Sequence, residues 1–336
     1  MRGFKTIKKQ PTQPQSQPQY EVADVLNKLG SKLEDLGLNS WQLRTLFALK
    51  KCRTSALGGH IDACDECGNI SISYNSCRNR HCPKCQGRNR EDWIQTRETE
   101  LLPVPYFHVV FTLPEVLNKT ALHEPKMLYD ILFESAWETL QTFGKNKNLQ
   151  MGMIAVLHTW GQNLSLHPHL HCIVPGGGVD ENGAWKNIKN DGKFLFSVKA
   201  LSKVFRAKFC EKLKANLKDK FNENQENEYE KIRQSLWEKP WVVYAKKPFG
   251  SPKSVVEYLG RYTHKIAISN GRIRGIDDKT VTFDYKDYRQ KGIKKQMVLS
   301  HEEFIRRFAM HILPKRFVKI RHYGFLSSTW KRIKLK

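Results

Sequence analysis

The sequence predicts an α+β protein, in which a cysteine-rich region with short helices precedes a larger region of antiparallel strands flanked by helices. Between Tyr20 and Lys51, apolar residues recur at helical spacing. The next segment, residues 52–90, is dense in Cys and His and poor in apolar residues. Farther along, strand-like segments such as Tyr106–Thr112 alternate with helix-like stretches. At roughly 150 residues per domain, the chain corresponds to about two domains.

The chain divides into four predicted segments. Residues 1–19 are basic and rich in Gln and Pro, which is typical of a disordered arm. Residues 20–100 form the first domain, whose two short helices flank a turn near residues 37–40. Residues 101–275 form the second domain, and residues 276–336 a basic C-terminal DNA-binding segment. Within these limits the patterns predict helices over 119–145 and 252–264, strands over 153–159, 170–174, 265–276 and 280–285, and a charged helical insertion at about 198–236.

The charge of the chain favours a polyanionic partner. Lys and Arg number 57 against 33 Asp and Glu, which gives a net charge of +24. Between Trp241 and Lys336, 23 basic residues face 7 acidic ones, and aromatic residues are interleaved with them. Basic side chains release counterions from phosphates, and aromatic rings stack on single-stranded bases. Nucleic acid is therefore the favoured partner, while a basic solubility surface or a ribosome-associated protein would carry the same charge.

Composition also excludes several classes of protein. A hydrophobic fraction of 40% excludes a largely disordered chain. No run approaches the ~18 consecutive apolar residues of a membrane span, and the first residues lead into no apolar signal core. Because the Cys are clustered and no secretion signal is visible, a disulfide scaffold is not expected. We expect a cytoplasmic protein.

The cysteine block predicts structural zinc. Six of the eight Cys lie between positions 52 and 85, and the two CxxC pairs, Cys64 with Cys67 and Cys82 with Cys85, have spacing close to that of a zinc ribbon. One partition places both pairs on one ion, although spacing does not fix it and His60 could join either ion. Metal-free thiols or redox CxxC chemistry are the alternatives. The eight candidate ligands, enough for one or two ions, are Cys52, His60, Cys64, Cys67, Cys77, His81, Cys82 and Cys85.

The segment HPHLH, residues 167–171, predicts a second kind of metal site. In a strand, His169 and His171 point to the same face. If residues 153–159 and 168–174 pair as a hairpin, His158 lies opposite His169 on that face. Gln162 and, less favourably, His167 are rival third ligands. Because two or three neutral ligands do not fill the coordination sphere, positions stay free for phosphate oxygens. A Mg²⁺ or Mn²⁺ ion that acts as a Lewis acid on phosphate requires such positions.

A tyrosine pair supplies candidate nucleophiles. Tyr258 and Tyr262 lie four residues apart in a segment that Ser251 and Pro252 mark as a helix start, so both phenols fall on one side of the helix. Such a pair could attack two phosphodiesters in succession. The alternative is ordinary packing. To Tyr285 and Tyr288 we assign packing or base stacking. Basic residues beside the cysteine block and the tyrosines are candidate DNA contacts: Arg78, Arg80, Lys84, Arg88, Arg261 and Lys265.

Three blocks of sequence occur in order across residues 52–275: CRTSALGGHIDACDECG with YNSCRNRHCPKCQ, then LHTWGQNLSLHPHLHCIVPGGG, then YLGRYTHKIAISNGRI. Together they resemble the insertion-sequence-91 family of bacterial transposases. The resemblance implies an N-terminal zinc-binding domain joined to a His-hydrophobic-His (HUH) nuclease, with an antiparallel sheet that carries the His pair and a tyrosine helix beside it. It further implies that His169 and His171 hold the catalytic metal and that Tyr258 and Tyr262 are the nucleophiles.

By the same resemblance, the protein transposes single-stranded DNA by a rolling-circle-like route through 5′-phosphotyrosine intermediates, in the bacterial cytoplasm at the nucleoid. Three other functions remain open on the sequence. A plasmid replication or relaxase-type initiator would use the same His and Tyr residues. A non-catalytic zinc-finger DNA-binding regulator, or an RNA-binding zinc-ribbon protein, would use only the cysteine block and the charge.

Overall fold

The computed structural model describes residues 18–86, 94, 101–188, 195–217, 223–245, 254, 255, 258, 260 and 265–330, except for the side chains of 223–229 and 231. Within these ranges the chain has the helices and antiparallel strands of an α+β fold, as predicted. Residues 1–17 of the predicted arm lie outside the described residues. So do three predicted site residues, Arg88, Arg261 and Tyr262.

The first region opens with two helices, as the apolar spacing predicts. Helix α1 spans Val22–Leu29 and buries its apolar face, and α2 spans Ser40–Lys50. A short 3-10 helix, Gly30–Leu36, lies between them. Helix α2 begins where the Asn39 side chain accepts a hydrogen bond from the Gln42 N–H, which satisfies a backbone donor of the first turn.

A β-hairpin follows the second helix. Strand β1, Gly59–Ala63, pairs in antiparallel register with β2, Ile70–Tyr74. Its base lies next to α2, because the Arg53 N–H donates to the Asn75 carbonyl oxygen. Cys64 lies immediately after β1, so the first CxxC pair lies at the tip of the hairpin.

The second region is built on a five-stranded antiparallel sheet of order β12-β4-β5-β3-β8. Its two longest strands are consecutive in the chain and pair as a hairpin. A small separate hairpin, β6 and β7, follows them. The strands are β3 Tyr106–Thr112, β4 Gly152–Trp160, β5 Leu166–Pro175, β6 Gly177–Val179, β7 Trp185–Asn187, β8 Val243–Ala245 and β12 Ile320–Gly324.

Helices cover one face of this sheet. Alternate residues of the strands, such as Phe107, Val109 and Phe111 of β3, join the helices in one apolar core. The intervening residues of β3, including His108, point to the opposite face. That face therefore holds the polar groups. The helices are α3 Asn118–His123, α4 Pro125–Lys145, α5 Val198–Leu217 and α6 Glu223–Glu238.

Residues 198–217 are helical as predicted, and the helix contributes to the core of the sheet. Helix α5 buries Phe205 and Phe209 in the sheet core, where Phe111 contacts Phe205 at a ring-centroid distance of 4.9 Å. Its charged residues lie on the other side, and Lys212 pairs with Glu138 of α4 at 2.8 Å. The high charge reflects one exposed side of a core helix.

The predicted C-terminal segment 276–336 is divided between two cores. A three-stranded antiparallel sheet and the helix after it share an apolar core with α1 and α2. Strand β12 instead returns to the main sheet and pairs with β4. The new elements are β9 Ile273–Ile276, β10 Thr280–Asp287, β11 Ile293–Ser300 and α7 His301–Ala309. No described helix is long and apolar enough to cross a membrane.

Candidate functional site

Three histidines meet on the β4–β5 hairpin. His158 pairs with His169 and Val156 pairs with His171, which confirms the predicted register. One ring nitrogen from each of the three histidines lies within 4.8 Å of the others. The hairpin thus brings together three potential metal ligands that are up to 13 residues apart in the sequence.

The hydrogen bonds of two rings orient their Nε2 atoms toward each other. His169 Nδ1 donates to the His167 carbonyl oxygen at 2.6 Å, and because a carbonyl only accepts, the lone pair of His169 lies on Nε2. That Nε2 is 3.2 Å from Nε2 of His171. On its other side, Nδ1 of His171 is 2.8 Å from Nε2 of His108. Rings held through Nδ1, with Nε2 converging, are typical of metal ligands.

Burial keeps these rings neutral. It lowers the pKa of His169 to about 4, and it also lowers the pKa of His171, with repulsion from a protonated His169 as the next cause. Neutral imidazoles offer lone pairs to a cation at pH 7. Three imidazoles leave coordination positions for phosphate and water oxygens, which are the ligands that Mg²⁺ and Mn²⁺ both accept. The three residues therefore fit a divalent ion.

The two rival ligands differ from His158 in position. His167 is exposed, and it supports the cluster through its backbone carbonyl oxygen. Gln162 lies in the turn between the strands, where its backbone carbonyl oxygen accepts a hydrogen bond from Arg272. His158, in contrast, is 2% exposed and contacts both other rings of the cluster.

Tyr258 reaches the same sheet face. It packs beside a small apolar cluster that includes Val156 and Val255. Its hydroxyl oxygen is 3.2 Å from Nδ1 of His108. His108 is 3% exposed, and its ring stacks on that of His171 with an interplanar angle of 10°. His108 thus lies between the candidate nucleophile and a candidate metal ligand.

His108 is a site residue that the sequence pattern does not predict. The segment YFHVVFT predicts only a strand, although a histidine among apolar residues indicates that its side chain has a polar partner. What was missing was the register between β3 and β5, which places Val110 opposite His171 and His108 opposite Ile173.

Two lysines lie near the histidines. Lys319 Nζ donates to the Lys265 carbonyl oxygen at 2.8 Å and lies 5.2 Å from the centroid of Trp160, whose ring stacks on His158. Burial, followed by the charge of Arg80, lowers the pKa of Lys319 to about 7. Lys265 was predicted as a DNA contact. Lys319 was not, because only the pairing of β12 with β4 brings its segment to the site.

Four cysteines form a separate cluster. The Sγ atoms of Cys52, Cys77, Cys82 and Cys85 lie within 4.8 Å of one another, and Cys52 Sγ is 3.6 Å from Cys85 Sγ. A hydrogen bond from Cys82 is the largest cause that lowers the pKa of Cys77 to about 5. Four converging sulfur atoms fit tetrahedral zinc and leave no position for a substrate. This cluster is suited to a structural ion.

The partition that joined the two CxxC pairs on one ion is wrong for this structure. Cys52 and Cys77 flank the base of the β1–β2 hairpin, while Cys64 and Cys67 lie exposed at its tip. Five residues per strand at about 3.3 Å each separate tip and base by roughly 15 Å.

The two candidate histidines are not members of the four-cysteine cluster. His60 is exposed on β1, where Nε2 is 3.6 Å from Asp62 Oδ2. His81 accepts a hydrogen bond from the Leu313 N–H at 3.3 Å.

The basic residues beside the cysteines differ in their surroundings. Arg78 is exposed. Arg80 is half-buried and donates to the carbonyl oxygens of Phe317 and Pro314. Lys84 forms an ion pair with Glu21. Of the three, Arg78 is the one whose side chain is most accessible to a phosphate.

Comparison with known proteins gives consistent matches. Residues 152–333 match a family described as "Putative transposase", and residues 24–113 match the "Transposase zinc-binding domain". The "Putative transposase y4qJ" of Sinorhizobium fredii is 44% identical over 328 residues, which cover 94% of this chain and 82% of that protein. The "Transposase for insertion sequence element IS801" of Pseudomonas savastanoi pv. phaseolicola is 29% identical over 306 residues, which cover 88% of this chain and 73% of that protein. The first family match contains the histidine hairpin, and the second contains the cysteine cluster.

Proposed function

The chain belongs to the insertion-sequence-91 family of transposases, and we propose that it nicks and rejoins single-stranded DNA at insertion-sequence ends through tyrosine. The observation that supports this proposal most is the position of Tyr258, on the same sheet face as His158, His169 and His171. A nucleophile next to a divalent-ion site is the arrangement that metal-assisted phosphoryl transfer requires.

The reaction is a transesterification at phosphorus. The phenol oxygen of Tyr258 or Tyr262 forms a bond to phosphorus, and the bond between phosphorus and the 3′ oxygen breaks. The phenol loses its proton to water, and the departing 3′ oxygen takes one up, so that the DNA carries a 5′-phosphotyrosine and a 3′-hydroxyl. Because one phosphate ester replaces another, rejoining by the reverse attack needs no ATP.

The side chains of the site divide the work. His158, His169 and His171 would hold the divalent ion, which when bound stabilises charge on the scissile phosphate. Lys265 and Lys319 lie beside them, where an entering phosphodiester would favour the charged forms of both amines. The second tyrosine can take the other strand end while the first link persists.

The zinc-binding region and the net charge of the chain contribute to DNA binding rather than to the reaction. The four cysteines of the cluster would hold a structural ion, since four thiolates fill its coordination sphere. We assign recognition of the DNA ends to the zinc-binding region, with Arg78 as one of its exposed cations, and to the basic C-terminal residues. The +24 net charge supplies the general attraction to phosphate.

Incubation with a labelled single-stranded oligonucleotide library and Mn²⁺ tests the proposal, with a denaturation-resistant adduct as the readout. We expect Tyr258→Phe and Tyr262→Phe each to remove adducts at that residue and the double variant to remove all of them. Tyr288→Phe is the control, because Tyr288 is 70% exposed in a separate turn. An undiminished adduct in the double variant contradicts the proposal. Binding without any adduct would instead indicate a non-catalytic DNA-binding regulator.

A further inference from the structure

We propose that His108 is a positioning residue that makes the hydrogen bonding of Tyr258 depend on whether His171 holds a metal ion. The inference rests on the proposed function, in which Tyr258 is a nucleophile. Its basis is a continuous series of contacts: Tyr258 hydroxyl to His108 Nδ1 at 3.2 Å, His108 Nε2 to His171 Nδ1 at 2.8 Å, and His171 Nε2 to His169 Nε2 at 3.2 Å. The series ends at the His167 carbonyl oxygen, 2.6 Å from His169 Nδ1.

The His167 carbonyl oxygen fixes which atom donates in each hydrogen bond of the series when no ion is bound. Since the His167 carbonyl accepts, His169 Nδ1 carries the proton and Nε2 carries the lone pair. His171 must then donate from Nε2 to His169 and accept at Nδ1. His108 in turn donates from Nε2 and accepts at Nδ1, so that the Tyr258 hydroxyl donates its proton to His108. In this arrangement Tyr258 is held as a neutral phenol.

Metal binding reverses the direction of the two hydrogen bonds between His171 and Tyr258, those on either side of His108. A metal-bound Nε2 of His171 carries no proton, so Nδ1 carries it and donates to His108 Nε2. A neutral His108 that accepts at Nε2 carries its proton on Nδ1, which then donates to the Tyr258 oxygen. The number of protons is unchanged: each ring keeps one, and the phenol proton points away from His108 or leaves to water. Tyr258 changes from donor to acceptor.

This reversal prepares Tyr258 for attack. A hydrogen bond donated to the phenol oxygen stabilises the phenolate, which is the nucleophilic form. His108 is 3% exposed and packed parallel to His171, so its ring is held in the one orientation that bridges both partners. Tyr258 is thereby activated when the ion that stabilises the phosphate is in place. At an empty site the Tyr258 hydroxyl donates to His108 instead, and the phenolate gains no such hydrogen bond.

The test measures the ionisation of Tyr258 directly, by NMR of protein labelled with ¹³C at the tyrosine ζ carbon. The Tyr258 signal is assigned by its loss in Tyr258→Phe. The probe is saturating Mg²⁺, which is diamagnetic. In the wild type we expect it to lower the pH midpoint of Tyr258 ionisation by about one pH unit, since a hydrogen bond to a charged group stabilises that group by at least the equivalent free energy. The variant His108→Phe should show no such shift, and His123→Gln, at an exposed helix position, should behave as the wild type.

Two further substitutions separate the two contacts and remain informative if His108→Phe does not fold. His108→Gln places an amide near the former Nε2 and keeps a partner for His171. His108→Asn places one near the former Nδ1 and keeps a partner for Tyr258. We expect the affinity for Mn²⁺, measured by electron paramagnetic resonance, to fall about 10- to 100-fold in His108→Asn and to be largely kept in His108→Gln.

A cleavage assay at saturating Mn²⁺ distinguishes this inference from the proposed function. His108→Gln should slow adduct formation at Tyr258 by about tenfold and leave adducts at Tyr262 unchanged. If the wild type forms no adduct, the proposed function fails, and the NMR midpoints alone decide on His108. A Tyr258 midpoint that is indifferent to Mg²⁺ in the wild type, or equally shifted in His108→Phe, overturns the inference.

Discussion

At the residue scale, neighbouring histidines differ in which of their atoms the site uses. His158 offers a ring nitrogen to the cluster, while His167 supports it through a backbone carbonyl oxygen. We therefore expect His158→Ala to weaken Mn²⁺ binding by more than about 100-fold, since loss of outer partners alone costs 10- to 100-fold. The matched variant His167→Ala keeps its carbonyl and should bind Mn²⁺ nearly as the wild type does. Isothermal titration with Mn²⁺ measures both, and equal losses would show that His158 is not a ligand.

The same residues show what a sequence can predict about a site. The turn between β4 and β5 sets their register, and side chains alternate with a period of two, so the pairing of His158 with His169 follows from counting along the chain. The position of His108 in the site depends on the pairing of β3 with β5, and 53 residues lie between the end of β3 and the start of β5. No local rule fixes the register of such distant strands.

At the scale of elements, the cysteine cluster is connected to the five-stranded sheet that carries the three histidines. Arg80 donates to the carbonyl oxygens of Pro314 and Phe317, and His81 accepts from the Leu313 N–H. These residues lie between α7 and β12, and β12 pairs with β4, which carries His158. The chain around Cys82 therefore supports the strand that borders the histidine site.

The cluster predicts opposite behaviour for two cysteines. Cys77→Ser should release the zinc and destabilise the fold by several kcal/mol, because the binding free energy of structural zinc, ~10–16 kcal/mol, is coupled to folding. Cys64→Ser, at the hairpin tip, should retain the ion held by the cluster. Metal analysis of the purified proteins and urea unfolding provide the measurements. If Cys64→Ser lost that zinc as completely as Cys77→Ser, the four-cysteine assignment would be wrong.

Strand β12 is positioned by a glycine. Gly324 has φ +58°, in the left-handed region, and a Cβ there would overlap the Met151 carbonyl oxygen and approach Trp137 within 2.8 Å. We expect Gly324→Ala to reduce the free energy of unfolding by about 3 kcal/mol through strain and overlap. Gly271→Ala is the control, because no atom lies within 4 Å of its Cβ position and its φ is ordinary. Urea unfolding of both variants tests this, and equal stability would argue against the position of β12.

At the scale of the whole molecule, the sequence predicted local elements better than their assembly. The two N-terminal helices and the histidine hairpin follow from apolar spacing and turn position. The charge of α5 concealed a core helix, because the apolar positions around Phe205 and Phe209 are spread among lysines. Likewise, CxxC spacing indicates zinc ligands, but it does not predict the length of the hairpin that separates Cys64 from Cys85. Long-range packing decides both.

Buried histidines predict how the whole fold responds to acid. Burial lowers the pKa of His311 to about 4 from 6.5, and Nε2 of His311 donates to the Leu164 carbonyl oxygen while Nδ1 accepts from the Thr159 hydroxyl. Between pH 6.5 and 4 the unfolded chain binds the proton and the folded chain does not, so the free energy of unfolding falls as the pH falls through this window. The difference between the two pKa values corresponds to on the order of 3 kcal/mol.

The variant His311→Gln isolates that contribution from other acid effects, such as loss of zinc. Urea unfolding at pH 7 and pH 4.5 should show a smaller loss of stability on acidification in His311→Gln than in the wild type, because glutamine takes up no proton. His123→Gln, which replaces an exposed histidine, should lose as much as the wild type. If His311→Gln lost stability by the same amount as the wild type, protonation of His311 would not be opposed by folding, and its burial between Thr159 and Leu164 would have to be revised.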